Sequence, residues 1–531
     1  MNSSSEKLYE YLGYGLLAAI FFIISQASMD MWDGVVASYG SEVGNIEGSR
    51  TSLLRHGWYL QHFLYIALFW LASFGLFSFF KLATFVSFIS TALLAREIFI
   101  FTNRVIRFEY FYSICALYFF IVFPVWQIFF SSIHIIFSIC MFFCFIGTRL
   151  ACTGSSILTK SFGYVAIILS LQLSSMLVLA PCLSYVYHLA GKNGAASFKL
   201  PNINTLFIFF ISVLIYLLLK IVFPSAAQES YGYNSIINPF ASSANFLIFF
   251  GSLKSFSTFF ITFLIPASVF LILSIFIQNN YLKEVFIFLK QNSIQSFMMS
   301  ILIASATFSY LMVGKAPVLS FAGVADWGMR HSLVLATVFP IFITWIFRSL
   351  SLGNKHLKLS YIFLCLTFLM STMFLVAGIS SKVNRIQFQE QLIEALQKEE
   401  LSPGIIYFKF LDLSELPDPQ MRDYERNYTF YRAYGNNIDS MVFFVSSDSP
   451  KIQDENITKY ELDLINSHQQ NTEDQLLSIF IPSDTSLCKS IIETKISNFR
   501  GFINIMKNIL GFGESIIELK VNSANCLQVT K

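Results

Sequence analysis

The sequence predicts a polytopic α-helical membrane protein with about 11 transmembrane helices, followed by a small C-terminal soluble domain of α/β or α+β type. The 531 residues are 55% hydrophobic and only 13% charged. From about Leu8 to Ile379, apolar runs of roughly 18–25 residues succeed one another, and each is long enough to cross a hydrocarbon core. The rest of the chain mixes charged and apolar residues without such a run. We therefore expect a membrane domain at 1–379 and an extracytoplasmic domain at 380–531.

Each predicted span is an apolar run of sufficient length, although the boundary between the fourth and fifth is open because 109–148 is almost continuously apolar. The spans lie at approximately 10–28, 59–80, 83–102, 109–127, 130–148, 162–187, 204–223, 256–278, 294–313, 332–348 and 359–379. An odd number of spans places the two termini on opposite sides of the membrane. Residues 245–251 could form an additional short segment that dips into the membrane.

Basic residues in the connections orient a membrane protein, since lysine and arginine are enriched on the cytoplasmic side. With this span count, the two sides hold equal numbers, so the count alone decides nothing. Lysines gather on the side of the N-terminus and arginines on the other, and arginine is better suited to bind phosphate. The dense connections 283–290 and 348–358 also fit the cytoplasm. We therefore expect a cytoplasmic N-terminus and a C-terminal domain on the outer side.

The C-terminal segment is predicted to begin with an amphipathic helix from Arg385, because Phe388, Leu392, Ile393 and Leu396 fall on one helical face. The remaining predicted elements are strands at 405–410, 441–445, 476–481 and 516–521, and helices at 415–434 and 491–510. A mixture of strands and helices predicts a small layered fold.

Two carboxylates follow the first apolar run, at Asp30 and Asp33. A separation of three residues places both on one face of a helical turn. Carboxylates at the boundary of the hydrocarbon are costly and are commonly functional. The structural alternative is that they cap the next helix or pair with a nearby arginine.

Transfer of a sugar from a phospholipid carrier requires a base, cations that stabilise the departing phosphate, and a groove for the lipid chain. Either Asp30 or Asp33 could be the base, and the phenylalanine-rich spans could supply the groove. The candidate cations are Arg55, Arg104, Arg107 and Arg330. Further candidate binding residues of the first long loop are His56, Trp58 and Gln61.

Two other clusters are ambiguous. Arg96 and Glu97 either form an internal ion pair or, together with Arg104 and Arg107, line a phosphate site. The connection before the tenth span either completes the binding site or holds an interfacial tryptophan and an exposed ion pair. Its candidate residues are Lys315, Asp326, Arg330 and His331.

Three motifs carry a resemblance to a known group of enzymes. They are Asp30-Met-Trp-Asp33-Gly, His56-Gly-Trp58-Tyr59-Leu-Gln61 and Tyr424-Glu-Arg-Asn-Tyr-Thr-Phe-Tyr431-Arg-Ala-Tyr-Gly435. An acidic motif after the first span resembles the GT-C superfamily of glycosyltransferases, and the three motifs together resemble bacterial membrane proteins linked to surface-polysaccharide synthesis. The second acidic motif of that superfamily is matched only loosely, by Glu97 and Glu109.

The resemblance implies an inverting glycosyltransferase in the bacterial inner (cytoplasmic) membrane, with its C-terminal domain in the periplasm. The implied donor is a polyprenyl-phosphate sugar and the implied acceptor is a surface glycan or lipid. The catalytic base would be Asp33, framed by Trp32 and Gly34, or Asp30, which lies nearer the membrane. Some enzymes of the superfamily use a divalent metal and others do not, so a divalent metal near Asp30 and Asp33 is an option, and the sequence specifies no cofactor.

The chain lacks a nucleotide-binding fingerprint, a glycine-rich phosphate loop and cysteine or histidine spacing typical of zinc sites. A lipid-linked donor therefore fits better than a nucleotide sugar, and no nucleic-acid partner is expected. Cys488 and Cys526 are the two cysteines of the C-terminal segment, and we expect them to form a disulfide if this segment is outside the cytoplasm. The alternative functions are an O-antigen polymerase or ligase, and a lipid-linked-glycan transporter.

Overall fold

The computed structural model contains helices and a four-stranded sheet. It describes residues 3–31, 34–42, 53–54, 58–173, 175–191, 201–222, 265–278, 280–313, 333–352, 357–398, 404–411, 423–434, 441–445, 486–496 and 517–528. The predicted strand at 476–481 and the possible dipping segment at 245–251 lie outside these ranges.

The helices are numbered here in chain order. They are α1 (Ser3–Ser25), α2 (Gly34–Glu42), α3 (Tyr59–Ala72), α4 (Phe79–Ile100), α5 (Tyr110–Ile121), α6 (Ile135–Thr153), α7 (Ile157–Ser170), α8 (Met176–Ala190), α9 (Ile203–Val222), α10 (Ile265–Ile277), α11 (Tyr281–Gln291), α12 (Ser293–Val313), α13 (Leu333–Leu350), α14 (Leu357–Gln397) and α15 (Asp423–Tyr434). A π-helix (Phe101–Ile106) extends α4, and two 3-10 helices (Pro124–Phe130 and Ser132–His134) join α5 to α6.

Within the described residues, five helical segments are long and apolar enough to cross a membrane. They are Lys7–Ser25, Phe79–Ile106, Tyr110–Phe130, Ser132–Thr153 and Lys358–Gln397. Seven further apolar helices of 10–17 residues accompany them. This composition identifies an α-helical membrane protein.

The chain divides into two compact units. Unit 1 comprises 1–26 and 50–378, and unit 2 comprises 27–49 and 379–531. The boundary near residue 378 lies beside the one expected from composition. The segment 27–49 differs, because we expected it in the membrane domain and it groups with the C-terminal residues instead.

Helix directions in unit 1 follow from contacts along α1. The Phe21 ring lies 5.7 Å from Phe88 of α4, whereas Tyr14, nearer the start of α1, is within electrostatic range of Arg96. Residue numbers therefore increase along α4 in the direction in which they decrease along α1, so the two helices are antiparallel. We call the end of unit 1 at which α1 begins the N-end, and the opposite end the exit end.

This arrangement contradicts the predicted span at 59–80. A complete span there would have made the first and third spans parallel. Instead α3 ends at Ala72, and the residues before α4 form a turn, in which Gly75 has a φ of +73°. The first long membrane helix after α1 is therefore α4, which begins towards the exit end and runs to the N-end.

The predicted span at 162–187 is also wrong, because two helices, α7 and α8, occupy these residues. Helix α7 returns along α6: Gly163 lies against Gly147 and Ala151, while the Cys140 thiol lies 3.9 Å from the carbonyl of Leu169. The run is interrupted by Leu-Gln-Leu-Ser-Ser at 171–175, where the Gln172 side chain accepts a 2.8 Å hydrogen bond from the Leu60 amide. The parity argument based on 11 spans therefore fails.

Helix α14 is one continuous helix of 41 residues. Its first part belongs to unit 1 and its part beyond residue 378 to unit 2. We expected a membrane span and a separate amphipathic helix here, but the intervening residues contain no glycine or proline that would end the helix. Gly378 lies against the Gln127 side chain, and Phe129 lies beside Phe21, so α1 and α14 both leave unit 1 at the exit end.

Unit 2 contains a sheet with strand order β2-β1-β3-β4. Its strands are β1 (Gly404–Leu411), β2 (Met441–Val445), β3 (Ser486–Ile496) and β4 (Ile517–Gln528). β1 is parallel to β2 and β3, and β4 is antiparallel to β3. The helix predicted at 491–510 is wrong over its first six residues, because β3 pairs on both sides and is rich in β-branched isoleucine and threonine.

Candidate functional site

Asp30 lies in unit 2 and its residue is only 1% exposed. Its Oδ1 accepts a 2.8 Å hydrogen bond from the Met31 amide, and its Oδ2 accepts one of 2.8 Å from the Ser38 hydroxyl. Ser38 belongs to α2, so the carboxylate is tied to the helix that follows it. Bonds to both oxygens fix the orientation of the carboxylate and compensate for lost hydration.

Helix α2 is held by an apolar cluster. Met29 and Val35 pack with Ile393 of α14 and Tyr428 of α15, and all four are buried. The Tyr39 ring lies edge-on to that of Tyr431, with centroids 4.5 Å apart. The described part of the first loop is therefore built into the helices of unit 2.

A polar contact closes the far end of α2. The Glu42 carboxylate accepts a 2.9 Å hydrogen bond from the Tyr428 hydroxyl and another of 2.9 Å from the Arg432 guanidinium. Burial, followed by the negative charge of Glu42, raises the pKa of the Tyr428 phenol above its ordinary value. The phenol therefore stays protonated and keeps donating to Glu42 at neutral pH.

Helices α2 and α15 and the unit 2 part of α14 form what we call the three-helix layer. Buried charges lie at its other end. Arg385 of α14 donates a 2.6 Å hydrogen bond to Glu425 of α15, and their side chains are 4% and 0% exposed. Lys382 and Gln389, at helical spacing from Arg385, are buried as well. Thus α14 presents a buried polar face inside unit 2.

The contacts also give the direction of α2 relative to α15. Val35 packs with Ile393 and Tyr428, whereas Glu42, at the end of α2, reaches Arg432. Helices α2 and α15 therefore run in the same direction. The start of α2, which follows Asp30, points towards the Glu425 side of α15.

The described part of unit 2 contains two buried carboxylates, Asp30 and Glu425, and two buried cations, Lys382 and Arg385. A carboxylate held by two donors can accept a proton from a hydroxyl that approaches it. Among the described residues, no group of three or more His, Cys, Asp or Glu side chains could hold a metal ion.

Several predicted site residues lie outside the part of the chain that the structure describes. They are Asp33, Arg55, His56, Lys315, Asp326, Arg330 and His331. Their predicted roles as base and binding residues remain predictions.

Trp58 and Gln61 belong to unit 1 rather than to the unit that holds Asp30. The Trp58 amide donates to the carbonyl of Leu53 at 2.9 Å, immediately before α3. Gln61 is fully buried, and its amide donates to the Tyr65 hydroxyl and to the carbonyl of Ile133, both at 3.1 Å. The described contacts of Gln61 hold α3 against the 3-10 segment.

The structure does not gather the predicted arginines of the third span where the chain leaves α1. Arg96, Arg104 and Arg107 lie towards the N-end, because α4 runs in that direction. From Tyr14, which is close to Arg96, to Ser25 at the exit end, α1 advances by about 16 Å. The three arginines therefore lie at the opposite end of unit 1 from the one at which α1 ends, and their role in binding phosphate stays a prediction.

Glu97 and Glu109 are bound by other partners at the N-end. Glu97 receives two hydrogen bonds from Arg149 of α6, at 2.7 and 2.8 Å. Glu109 receives two from Arg348 of α13, at 2.6 and 2.9 Å. We had considered an ion pair between Arg96 and Glu97, but the described partner of Glu97 is Arg149. Each ion pair joins two helices that are far apart in the sequence, which favours a structural role for Glu97 and Glu109.

Sequence reasoning overlooked Lys382, Arg385, Gln389 and Glu425 as site residues. The available signal was their spacing: positions 382, 385 and 389 fall on one helical face that continues to the apolar residue Ile393. Glu425 lies within one of the motifs that carried the family resemblance. Polar residues in line with an apolar stripe predict a buried polar face.

The chain matches no protein-family model, no curated protein and no solved structure. Its function therefore has to be argued from the fold and from the candidate site.

Proposed function

We propose that this protein is a membrane glycosyltransferase of GT-C type that transfers a sugar from a polyprenyl-phosphate donor to a cell-surface glycan or lipid. The observation that carries the proposal is the position of Asp30. Its buried, doubly hydrogen-bonded carboxylate lies just after the first membrane helix, in a segment packed into the C-terminal unit. An isolated helix cap would require neither this burial nor this packing.

In the proposed reaction, an acceptor hydroxyl oxygen attacks the anomeric carbon of the donor sugar. The bond from that carbon to the phosphate oxygen breaks, and the polyprenyl phosphate leaves with the electron pair. Asp30, or Asp33 three residues further on, takes the proton of the attacking hydroxyl. Attack opposite to the leaving group inverts the anomeric configuration.

The charge distribution of unit 1 supports an outer location for unit 2. The cations at the N-end among the described residues are Lys7, Arg96, Arg104, Arg107, Arg149, Lys160, Lys283, Lys290, Arg348 and Lys358. Lys81, at the start of α4, and Lys220, near the end of α9, lie towards the exit end. This excess of cations at the N-end supports the proposal of a cytoplasmic N-end. Since α1 and α14 both leave at the exit end, unit 2 would be periplasmic in a bacterial inner membrane.

The test replaces the gene in its host with a copy that encodes the Asp30→Asn variant and, separately, with one that encodes the Asp33→Asn variant. The surface glycans and lipids of each strain are then analysed by mass spectrometry. At least one variant should lose a glycan modification while its membrane level stays normal. Glu394→Gln is the matched control, because it removes an exposed carboxylate from α14 of the same unit. Unchanged glycans and lipids in both aspartate variants would refute the proposal.

A further inference from the structure

Helix α11 has a composition unlike that of the membrane helices beside it. Its 11 residues extend over about 16 Å, which is too short to cross a bilayer. Leu282 and Phe286, one turn apart, are 56% and 70% exposed. Lys283 and Lys290 are exposed as well, and they follow these two residues around the helix. The helix therefore shows an apolar stripe with lysines along one edge, and Ile287, which is 44% exposed, lies beyond the lysines.

The opposite face fastens α11 to the N-end of unit 1. Tyr281 and Val285 are buried, and the Tyr281 hydroxyl donates to the carbonyl of Leu350 at the end of α13. The guanidinium carbon of Arg348 lies 5.3 Å from the centre of the Phe288 ring. Because the buried face is fixed in this way, the exposed stripe has a defined direction and is not available to pack into unit 1.

The surroundings of the stripe favour a lipid partner. Helix α10 ends just before α11 with Phe276 and Ile277, which are both exposed. Helix α12 then begins at Ser293 and runs back as an apolar helix. A short helix that links two apolar helices and combines an apolar stripe with flanking lysines has the properties of a helix lying in the membrane interface.

We propose that α11 lies in the interface of the leaflet at the N-end and binds anionic phospholipid headgroups through Lys283 and Lys290. Leu282 and Phe286 enter the acyl region, while the ammonium groups remain at the level of the headgroup phosphates. Arg104 and Arg107, both exposed at the same end, add to the positive potential. This contact would hold the N-end against an anionic leaflet, independently of any transferase activity.

The test uses the full-length protein in nanodiscs of equal phosphatidylcholine and phosphatidylglycerol, with a photoreactive benzophenone amino acid replacing Phe286. Illumination should attach lipid at position 286, and mass spectrometry gives the ratio of the two lipids. The same replacement at Val285, buried on the opposite face, should crosslink to protein. We expect phosphatidylglycerol to be enriched at position 286.

The second variant combines Lys283→Gln and Lys290→Gln with the reporter at position 286. The enrichment should fall about fivefold for each lysine removed. Lys398→Gln, which removes an exposed cation from unit 2, should leave it unchanged. Crosslinking of position 286 to protein, or an enrichment that is unaffected by loss of both lysines, would overturn the proposal.

Discussion

Arg385 and Glu425 form a buried ion pair between α14 and α15, with 2.6 Å between Nη2 and Oε2. The pair belongs to the same unit as Asp30. Removing two charged groups from water costs free energy, and a pair of apolar residues of similar volume could fill the same space at lower cost. The pair therefore marks a place where the position of α15, and with it that of α2, is specified by charge.

Removing one member of this pair should destabilise unit 2 strongly. Arg385→Met leaves Glu425 as a buried carboxylate without its cation, and we expect a loss of about 3–5 kcal/mol in the free energy of unfolding. The double variant Arg385→Met, Glu425→Leu should recover much of this loss. Thermal unfolding in detergent, analysed as a double-mutant cycle, measures the coupling. Additive losses would show that the two side chains do not act as a pair.

The pair between Arg432 and Glu42 is a matched control, because both side chains are more than a third exposed. Arg432→Met should reduce the free energy of unfolding by only about 0–1 kcal/mol. The same unfolding measurement applies. A loss as large as that of Arg385→Met would contradict the distinction drawn from burial.

Any larger residue at position 163 should destabilise the folded protein. A Cβ at this position would lie 2.5 Å from the Ala151 amide nitrogen and 2.8 Å from the Gly147 carbonyl oxygen, so α6 and α7 would have to separate. We expect Gly163→Ala to cost about 1–3 kcal/mol. Gly15 of α1 is the control, since a Cβ there meets no atom within 4 Å, and Gly15→Ala should be neutral or slightly stabilising. Equal effects of the two substitutions would contradict the close contact.

Cys488 and Cys526 are predicted to form a disulfide. They are register partners in the antiparallel pair of β3 and β4. Directly opposite residues of antiparallel strands have Cα atoms about 4.5–5.5 Å apart, within the range of disulfides. Mass analysis of the protein alkylated without reduction should show these two cysteines protected, and loss of the bond should cost about 3–4 kcal/mol. Exposed Cys365 should be alkylated, as a positive control. Free thiols at both positions 488 and 526 would contradict the prediction.

Tyr428 should make unit 2 sensitive to alkaline pH. Its pKa is raised in the folded protein, chiefly by burial, so the folded state retains a proton that the unfolded state loses above about pH 10. The stability contribution is intact below that pH and decreases as the pH rises above it. Tyr428→Phe should lose about 0.5–1.5 kcal/mol at neutral pH with the hydrogen bond to Glu42. Its disadvantage should shrink above pH 10 in unfolding experiments, whereas parallel pH profiles would contradict this explanation.

The sequence predicts many elements well, because their signals are local. β2 has the predicted bounds 441–445, and α9, α12 and α13 lie within a few residues of predicted spans. The run at 162–187 was misread for a physical reason. One long helix and two short ones can have the same apolar composition, and only the polar interruption around Gln172 distinguishes them.

The candidate site was only partly predictable. Asp30 is visible from sequence because a carboxylate after a membrane helix is unusual. The helices α14 and α15, which pack against its segment, come from about 360 or more residues later in the chain, as the contact of Val35 with Ile393 shows. Partners such as Arg149 for Glu97 depend on helix directions. One miscounted span at 59–80 reversed those directions and placed the arginines at the wrong end.

The most direct test of the central claim is photoaffinity labelling of the purified full-length protein with a polyprenyl phosphate that carries a diazirine near its phosphate. We expect labelled peptides from residues 27–49 and from the unit 2 part of α14, with labelling competed by unmodified polyprenyl phosphate but not by the free alcohol. Labelling confined to the N-end of unit 1, around Arg104 and Arg107, would contradict the account.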